Sequence, residues 1–328
     1  MSDHAPQFLA VTGPTASGKT GLSLSLAERL PVEVISMDSR QVYRGMDVGT
    51  DKVGRAAQAA VPHHGLDIIT PKERYSAGRF ARDVRRWIPD IAARGNLPLL
   101  VGGTGFFLRT VIDPIFAEPE LDIGRLDSLR AYLGRQDRAR LERWVSTLDP
   151  ERARVAIEGG PQRMGRTIEV ALLSGRRLSW WHREAPAEAE GVPGFIVVLE
   201  LSKEEMDRRI DLRVSGMVDR GLVAEVQGLL ESGYTTESPG MSGTGYREIV
   251  RYLTGEVTLE AAMDEVRHNT RRYARRQLTW FRNQVPESAV RVDATEPVEL
   301  QRDQVLAAWV ASGGRVPAGD AMNQGVGT

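Results

Sequence analysis

Short apolar runs that end in glycine or polar residues alternate along the chain with longer stretches that have helical spacing. The apolar runs occupy residues 7–12, 31–38, 96–105 and 193–201. Helical spacing occupies residues 21–30, 77–94, 203–232 and 258–284. A strand, a glycine turn, a helix and a further strand in succession are typical of a parallel α/β sheet. The pattern therefore predicts an α/β fold whose ligand site lies at the carboxyl ends of the strands.

The amino-acid composition and the hydrophobic periodicity differ between residues 119 and 192 from those of the rest of the chain. This segment is rich in Arg, Glu, Leu and Ala, has helical periodicity and lacks strong strand signals. We therefore predict one α/β core, residues 1–118 and 193–310, which is interrupted by a helical insertion domain over residues 119–192. The last residues, 311–328, carry too little apolar surface to order themselves, and they are predicted to form a disordered tail.

Composition narrows the classes of protein. The 328 residues are 41% hydrophobic and 27% charged, which is typical of a globular protein. No apolar run is long enough to span a membrane, and the N-terminus lacks the basic start and apolar stretch of a secretory signal, so we predict a cytoplasmic protein. The absence of cysteine excludes disulfide scaffolds, cysteine-ligated zinc and thiol catalysis.

Arginine greatly outnumbers lysine among the basic residues. Only four of the 43 are lysine, so 39 are arginine, although the net charge is −1. Codon bias explains most of such a preference. Because the planar guanidinium also suits phosphate and base recognition, the places where arginines cluster are informative.

Residues 13–20, GPTASGKT, match the phosphate-loop pattern G-x-x-x-x-G-K-[ST] between a predicted strand and a predicted helix. Its backbone N–H groups and the helix N-terminus favour an anion. Lys19 is expected to reach the terminal phosphate and the Thr20 hydroxyl to hold Mg²⁺. ATP or GTP is the default occupant. The predicted diphosphate-binding residues are Gly13, Pro14, Thr15, Ala16, Ser17, Gly18, Lys19 and Thr20.

Two further polar clusters follow strands, at residues 38–41 and 102–105. Asp38 comes directly after the second strand, beside the predicted phosphate loop. Its position alone is equally compatible with three roles: a magnesium ligand, a general base or a helix cap.

Seven motifs together identify a family. They lie at residues 13–20, 38–52, 61–68, 101–109, 161–170, 245–249 and 271–282. In order and spacing they closely resemble the bacterial tRNA dimethylallyltransferases, the isopentenyl-tRNA transferases of the IPP transferase family. The resemblance covers about residues 8–285 and implies an α/β fold with a P-loop NTPase-like parallel sheet core and a helical insertion domain.

The resemblance implies transfer of the dimethylallyl group of dimethylallyl diphosphate to the exocyclic amine of an adenosine. That adenosine lies just 3′ of the anticodon, in tRNAs that read codons beginning with U. Asp38 is implied as the general base and Thr104 as a positioning residue, with Lys19 and Mg²⁺ on the diphosphate. We predict no membrane association and no obligate protein partner.

Several segments are expected to contact the tRNA anticodon stem-loop. Residues 265–284 contain six arginines and one acid, which indicates a polyanion partner. The insertion arginines at 125, 130, 135, 138, 140 and 143 are expected to grip the stem-loop. The predicted tRNA-binding residues are Asp38, Ser39, Arg40, Gln41, Thr104, Gln162, Arg163, Met164, Gly165, Arg166, Arg271, Arg275 and Arg276.

Other residues admit two interpretations. Arg209 and Arg213 match basic positions of the family, and either one contacts the diphosphate or both lie on a solvated helix face. Trp280 and Phe281 are favoured as core residues over base-stacking ones. The paired histidines at residues 63 and 64 are interpreted as structural.

Two other classes of function compete with the transferase. A small-molecule P-loop kinase would hold ATP in the same loop, but it would leave the arginine-rich helices and residues 162–166 unexplained. A non-catalytic RNA-binding protein would not need the intact loop, Asp38 and Thr104.

Overall fold

A computed structural model of the chain describes residues 5–117 and 119–314. The strands are β1 Phe8–Thr12, β2 Val32–Ser36, β3 His63–His64, β4 Leu97–Gly102, β5 Gly194–Glu200 and β6 Val290–Asp293. The first nine helices are α1 Lys19–Ala27, α2 Arg55–Ala60, α3 Ala77–Ala93, α4 Gly105–Ile112, α5 Ile123–Leu133, α6 Arg138–Leu148, α7 Ala153–Glu158, α8 Pro161–Ser174 and α9 Leu178–Glu184. The rest are α10 Lys203–Asp219, α11 Leu222–Glu231, α12 Tyr246–Leu253, α13 Leu259–Gln284 and α14 Val298–Ala311, and a 3₁₀ turn covers Gly240–Ser242.

The six strands form one parallel sheet in the order β3-β2-β4-β1-β5-β6. Every residue of β1 is buried, as expected for a central parallel strand that is covered on both faces by helices. Thr12 pairs in register with Gly102 of β4 and Val198 of β5, and its hydroxyl donates to the Gly102 carbonyl over 2.8 Å. The carboxyl ends of the central strands therefore meet, and the predicted α/β class is confirmed.

The helical segment forms a compact unit of its own, Asp113–Gly191. It starts six residues before the predicted boundary at 119. Its core is a small apolar cluster that includes Leu133, Val145, Met164 and Ile168. The repeated apolar positions of α5, α6 and α8 account for this cluster, since each helix buries a single narrow stripe.

Three features differ from the sequence-based expectation. The single helix expected over residues 203–232 is two helices, because Gly221 adopts a φ of 94° between α10 and α11 and ends the regular helix there. Strand β6 and helix α14 extend the core beyond the predicted elements, and α14 runs to Ala311, the first residue of the predicted tail. Residues 315–328 of that tail lie outside the described residues.

Among residues 5–117 and 119–314, no helix combines the length and the apolar character needed to cross a membrane.

Candidate active site

The loop of residues 13–18 joins β1 to α1 at the carboxyl edge of the sheet. Lys19 is the first residue of α1, and its ammonium group donates to the carbonyls of Gly13 over 3.1 Å and Pro14 over 2.6 Å. Desolvation lowers the pKa of Lys19 to about 8, the charge of Asp38 opposes that shift, and the charge of Arg213 adds to it. Asp38 and Arg213 therefore both lie close enough to Lys19 to act on its charge.

Asp38 sits in the turn after β2, and its side chain is half-buried. Its Oδ1 accepts hydrogen bonds from the backbone N–H of Arg40 over 2.7 Å and of Gln41 over 3.4 Å. Within the described residues its Oδ2 accepts no hydrogen bond. One oxygen thus fixes the turn, while the other remains available to accept a proton from a substrate.

Thr104 lies beside this turn, directly before α4. Its backbone N–H donates to the Met37 carbonyl over 3.3 Å, and its hydroxyl accepts from the Ser39 N–H over 3.3 Å. The close approach of the end of β4 to the backbone at Met37 depends on Gly102, because a Cβ there would lie 2.0 Å from the Met37 carbonyl oxygen. The structure therefore brings the predicted residues Asp38 and Thr104 together at one edge of the sheet.

Helix α13 adds two residues that sequence reasoning missed. The pKa of the Tyr273 hydroxyl is raised to about 12, chiefly by desolvation and then by the charge of Asp38, while its interaction with the Thr104 side chain lowers it. The Gln277 amide is buried and bonded at both ends, to the phosphate loop and to the turn before Thr104. The available signal was a polar residue at a core position of α13, between the buried Ala274 and Phe281.

Arg209 and Arg213 differ in what they contact. The Arg209 guanidinium is held by the Glu205 carboxylate at 2.7 Å and by the Ala294 carbonyl at 2.9 Å. Arg213 Nε lies 3.5 Å from the Asp51 carboxylate and is buried without a hydrogen-bond partner. Because Arg213 also acts on the pKa of Lys19, the structure associates Arg213 with the phosphate loop.

Two residues predicted to touch nucleotides also make hydrogen bonds within the protein. The Arg40 guanidinium donates to the Pro239 carbonyl over 3.0 Å and to the Ser242 hydroxyl over 3.3 Å. The Gln41 amide oxygen accepts from the Ser36 hydroxyl, and its NH₂ group donates to the Thr50 carbonyl. In this arrangement the side chains of Arg40 and Gln41 hold the loop of residues 38–52 in shape, and all four residues 38–41 are half-exposed.

The same loop is anchored again from α11 and α12. The Glu225 carboxylate accepts from the backbone N–H groups of residues 47, 48 and 49 and from the Tyr246 hydroxyl at 2.7 Å. Tyr246 is buried, and the pKa of its hydroxyl is strongly raised by that burial and by the charge of Glu225. The motif at residues 245–249 thus has a structural role beside the site.

The arginines of α13 fall into two groups. Arg271 pairs with Asp211 at 2.5 Å and Arg275 pairs with Asp207 at 2.8 Å, so the acids missing from α13 come from α10. Within the described part of the chain, Arg272 and Arg276 make no ion pair. A cavity of about 590 Å³ on this helix is lined by His268, Arg271, Arg272, Arg275, Arg276 and Thr279. The prediction of a basic face therefore holds best for Arg272 and Arg276.

The aromatic and histidine residues are structural, as predicted. Phe281 is buried, and Trp280 packs so closely on Gly105 that a Cβ there would lie 2.2 Å from its ring. His64 contacts the Glu33 carboxylate at 2.7 Å, and His63 contacts the Val61 carbonyl at 2.6 Å.

Within the insertion unit, residues 162–166 lie in the first two turns of α8. Gln162 and Arg163 are exposed, but Met164 is fully buried in the core of the unit, because it occupies the apolar stripe of α8. Met164 therefore departs from the expected RNA contact and supports its exposed neighbours instead. The insertion arginines are also partly engaged, since Arg130 makes two bonds of 2.9 and 3.0 Å with Glu169.

Comparison with known proteins is consistent across sequence and structure. Residues 41–284 match the family model described as IPP transferase. The chain is 36% identical over 312 residues to a tRNA dimethylallyltransferase of Bacillus velezensis, covering 92% of this chain and 95% of that protein. The crystal structure of a tRNA isopentenylpyrophosphate transferase of Bacillus halodurans has a TM-score of 0.66 at 33% identity and covers 93% and 97% of the two chains. A eukaryotic dimethylallyltransferase acting on tRNA has a TM-score of 0.76 at 26% identity and covers 94% and 80%.

Proposed function

The chain belongs to the IPP transferase family of tRNA dimethylallyltransferases, and from that premise we propose that it transfers the dimethylallyl group of dimethylallyl diphosphate to an adenosine amine in tRNA. The acceptor is the exocyclic N6 amine of the adenosine 3′ of the anticodon, and inorganic diphosphate is released. The observation that carries this proposal is the meeting of the phosphate loop with Asp38 and Thr104 at one edge of the sheet.

The phosphate loop is proposed to hold the diphosphate of the donor. Diphosphate is already a good leaving group, so the protein mainly has to neutralise the charge that builds on it. Backbone N–H groups at the start of α1 and the ammonium group of Lys19 supply part of that charge. Arg213 is proposed to supply a further cation, because its charge acts on Lys19 of the loop. Its Nε lies 3.5 Å from the Asp51 carboxylate and makes no hydrogen bond within the described residues.

Magnesium is proposed to bind with the diphosphate. The described residues contain no group of three histidine or acidic side chains that would form a metal cage. That fits Mg²⁺ at a phosphate site, which keeps several waters and takes one or two protein ligands beside the phosphate oxygens. Thr20 is exposed in the first turn of α1 and supplies a hydroxyl ligand. The ion, when bound, neutralises charge on the leaving diphosphate.

Asp38 is proposed to accept the proton of the adenosine amine as its nitrogen attacks the first carbon of the dimethylallyl group. The amine is a weak nucleophile, because its lone pair is delocalised into the ring. A positioned base contributes about 10²–10⁴-fold to such a step. The bond from carbon to the diphosphate oxygen breaks as the carbon–nitrogen bond forms. Because a stacked base is out of reach, the adenosine has to turn out of the anticodon loop.

The RNA is proposed to bind the exposed arginines of α13 and the exposed start of α8. Arg272 and Arg276 have no acidic partner within the described chain, so their charges are free to meet phosphates. Gln162 and Arg163 are exposed donors of the kind that read single-stranded bases. The two segments are therefore assigned to phosphate contact and to base contact, respectively.

The decisive experiment is to incubate the protein with Mg²⁺, dimethylallyl diphosphate and unmodified tRNA, followed by mass spectrometry of the nucleosides. We expect N6-dimethylallyladenosine at a single position and release of diphosphate. Replacing the donor with ATP is expected to give no product. Phosphorylation of a small molecule, or tRNA binding without any modified nucleoside, would refute the proposal.

A further inference from the structure

A buried glutamine joins two parts of the site that are far apart in sequence. Gln277 of α13 is 6% exposed. Its amide oxygen accepts from the Thr15 backbone N–H over 2.8 Å and from the Thr15 hydroxyl over 3.0 Å. Its NH₂ group donates to the Gly103 carbonyl over 2.8 Å. One amide therefore spans from the phosphate loop to the turn that carries Thr104.

The chain of contacts continues to Asp38. Thr104 follows Gly103 directly, and its hydroxyl accepts from the Ser39 N–H over 3.3 Å. The Thr104 N–H donates to the carbonyl of Met37, the residue before Asp38. The loop proposed to hold the diphosphate and the carboxylate proposed to accept the proton are thus connected by hydrogen bonds through a single side chain.

We propose that Gln277 is a positioning residue that sets the distance between the diphosphate loop and the turns bearing Thr104 and Asp38. This inference rests on the proposed function. Both ends of the amide are used, and the contacts are largely shielded from water, so rotation or shortening of the side chain leaves buried polar groups unpaired. A shift of the phosphate loop relative to Asp38 misaligns the first carbon of the dimethylallyl group and the attacking adenosine amine. Misplacement by about 1 Å costs on the order of 10²-fold in rate.

The close packing of Gly103 on the amide provides a second way to disturb this contact. A Cβ at Gly103 would lie 2.4 Å from Gln277 Nε2. Gly103→Ala is therefore expected to push the amide away from the carbonyl, and the same Cβ would lie 3.2 Å from the Gly13 carbonyl oxygen of the phosphate loop. If Gly103→Ala and Gln277→Met act on the same contact, the double variant is expected to be no slower than Gln277→Met alone, since coupled residues are non-additive.

The main test compares Gln277→Met with Gln301→Met. Gln301 has the same exposure of 6%, lies on α14, and donates from its side-chain amide to the Glu296 carbonyl over 2.7 Å, so it is a matched buried glutamine outside the site. Gln277→Asn is the second variant, because it keeps the amide but is too short to bridge both partners. The readouts are the single-turnover rate with saturating substrates, the affinity for inorganic diphosphate, the affinity for tRNA and the melting temperature.

We expect Gln277→Met and Gln277→Asn to lower the single-turnover rate by about 10- to 100-fold and to weaken diphosphate binding, with tRNA affinity unchanged. Gln301→Met is expected to lower the melting temperature comparably and to leave the rate unchanged. An unchanged rate in the Gln277 variants, or an equal loss of rate in Gln301→Met, would overturn the proposal.

Failure of the proposed function is recognised separately from failure of this inference. If the unmodified protein makes no dimethylallyladenosine, the function fails whatever the variants do. The titration with inorganic diphosphate still reports on the loop in that case, because it requires no transfer. Unchanged diphosphate affinity in both Gln277 variants would then overturn the positioning role.

Discussion

Replacing Arg272 and Arg276 together with glutamine is expected to weaken tRNA binding without destabilising the protein. Both side chains are exposed on α13 and line its basic cavity. Neither makes an ion pair within the described residues, and Arg276 contacts only the ring of Tyr273, at 5.8 Å. The folded protein therefore loses little when the two charges are removed.

The size of the effect follows from counterion release. Each phosphate contact contributes about 0.7–0.9 to the slope of the logarithm of the binding constant against the logarithm of salt concentration. If both arginines contact phosphate, the slope should become shallower by roughly 1.4–1.8. Affinity for dimethylallyl diphosphate should stay the same, because neither residue contacts the phosphate loop.

The matched control removes the same number of charges from the same helix. Arg271→Gln with Arg275→Gln breaks the pairs with Asp211 and Asp207. Because these pairs are partly exposed, each is worth about 0–1 kcal/mol, so a small drop in melting temperature is expected. Their arginines are already neutralised by acids, so the salt slope should change less.

Fluorescence anisotropy with labelled tRNA over a salt series, together with thermal melting, distinguishes the two variants. An unchanged slope for the Arg272 and Arg276 variant, or a larger change in the control, would mean that the unpaired arginines are not on the RNA path.

Four shorter predictions test other parts of the site. Asp38→Asn should preserve the melting temperature and the tRNA affinity but lower the single-turnover rate by about 10²–10⁴-fold. A rate equal to that of the unmodified protein would contradict the role of Asp38 as general base. Lys19→Ala should weaken diphosphate binding by about 1.5–3 kcal/mol in calorimetry. In the unmodified protein, affinity should fall as pH rises through about 8, where the Lys19 ammonium loses its proton, and the variant should lack that fall. Arg213→Gln should weaken diphosphate binding more than Arg209→Gln in the same titration, and the reverse order would exchange their roles. Glu33→Gln should destabilise the protein near neutral pH, because hydrogen bonds from Arg94 lower the pKa of that buried carboxyl to about 2. The depressed pKa stabilises the folded protein above the unfolded value of about 4.5, and this contribution is lost as pH falls towards 2. Denaturant titrations should therefore show the difference in unfolding free energy between the unmodified protein and Glu33→Gln shrinking below pH 4.5.

The strand ends could be predicted because they depend on local chemistry. Residues 8–11 and 97–101 contain no polar residue, and glycine and threonine follow each of these runs. The carboxylate of Asp38 follows the run of residues 31–37. Parallel strands place such endings at one edge, so the association of the phosphate loop with Asp38 and Thr104 followed from sequence order alone. Of the three roles left open for Asp38, a helix cap is not what the structure shows, because residues 39–42 form a turn and no helix begins there. Its Oδ1 accepts the backbone N–H groups of that turn, and its Oδ2 accepts none within the described residues.

The ion pairing of the α13 arginines could not be predicted from the sequence of that helix alone. Counting along residues 265–284 found one acid, but Asp207 and Asp211 reach the helix from α10, about 60 residues earlier. Such pairing depends on which helices pack together, and a one-dimensional charge count carries no information about it. Arg272 and Arg276 are exposed on the same helix and make no ion pair within the described residues.

Gln277 shows most clearly why the site needs the tertiary structure. Helical periodicity places residue 277 on the buried face of α13, where a polar side chain is costly unless it is hydrogen-bonded. That argument predicts partners for the amide but does not name them, since Thr15 lies 262 residues away and Gly103 lies 174 residues away. Only packing of α13 against the carboxyl edge of the sheet supplies them. Arg276, the preceding residue, lies about 100° around the same helix. Its side chain is exposed. Neighbouring positions of one helix therefore face the proposed RNA surface and the diphosphate loop, so substitutions at 276 and 277 should separate loss of tRNA affinity from loss of transfer rate.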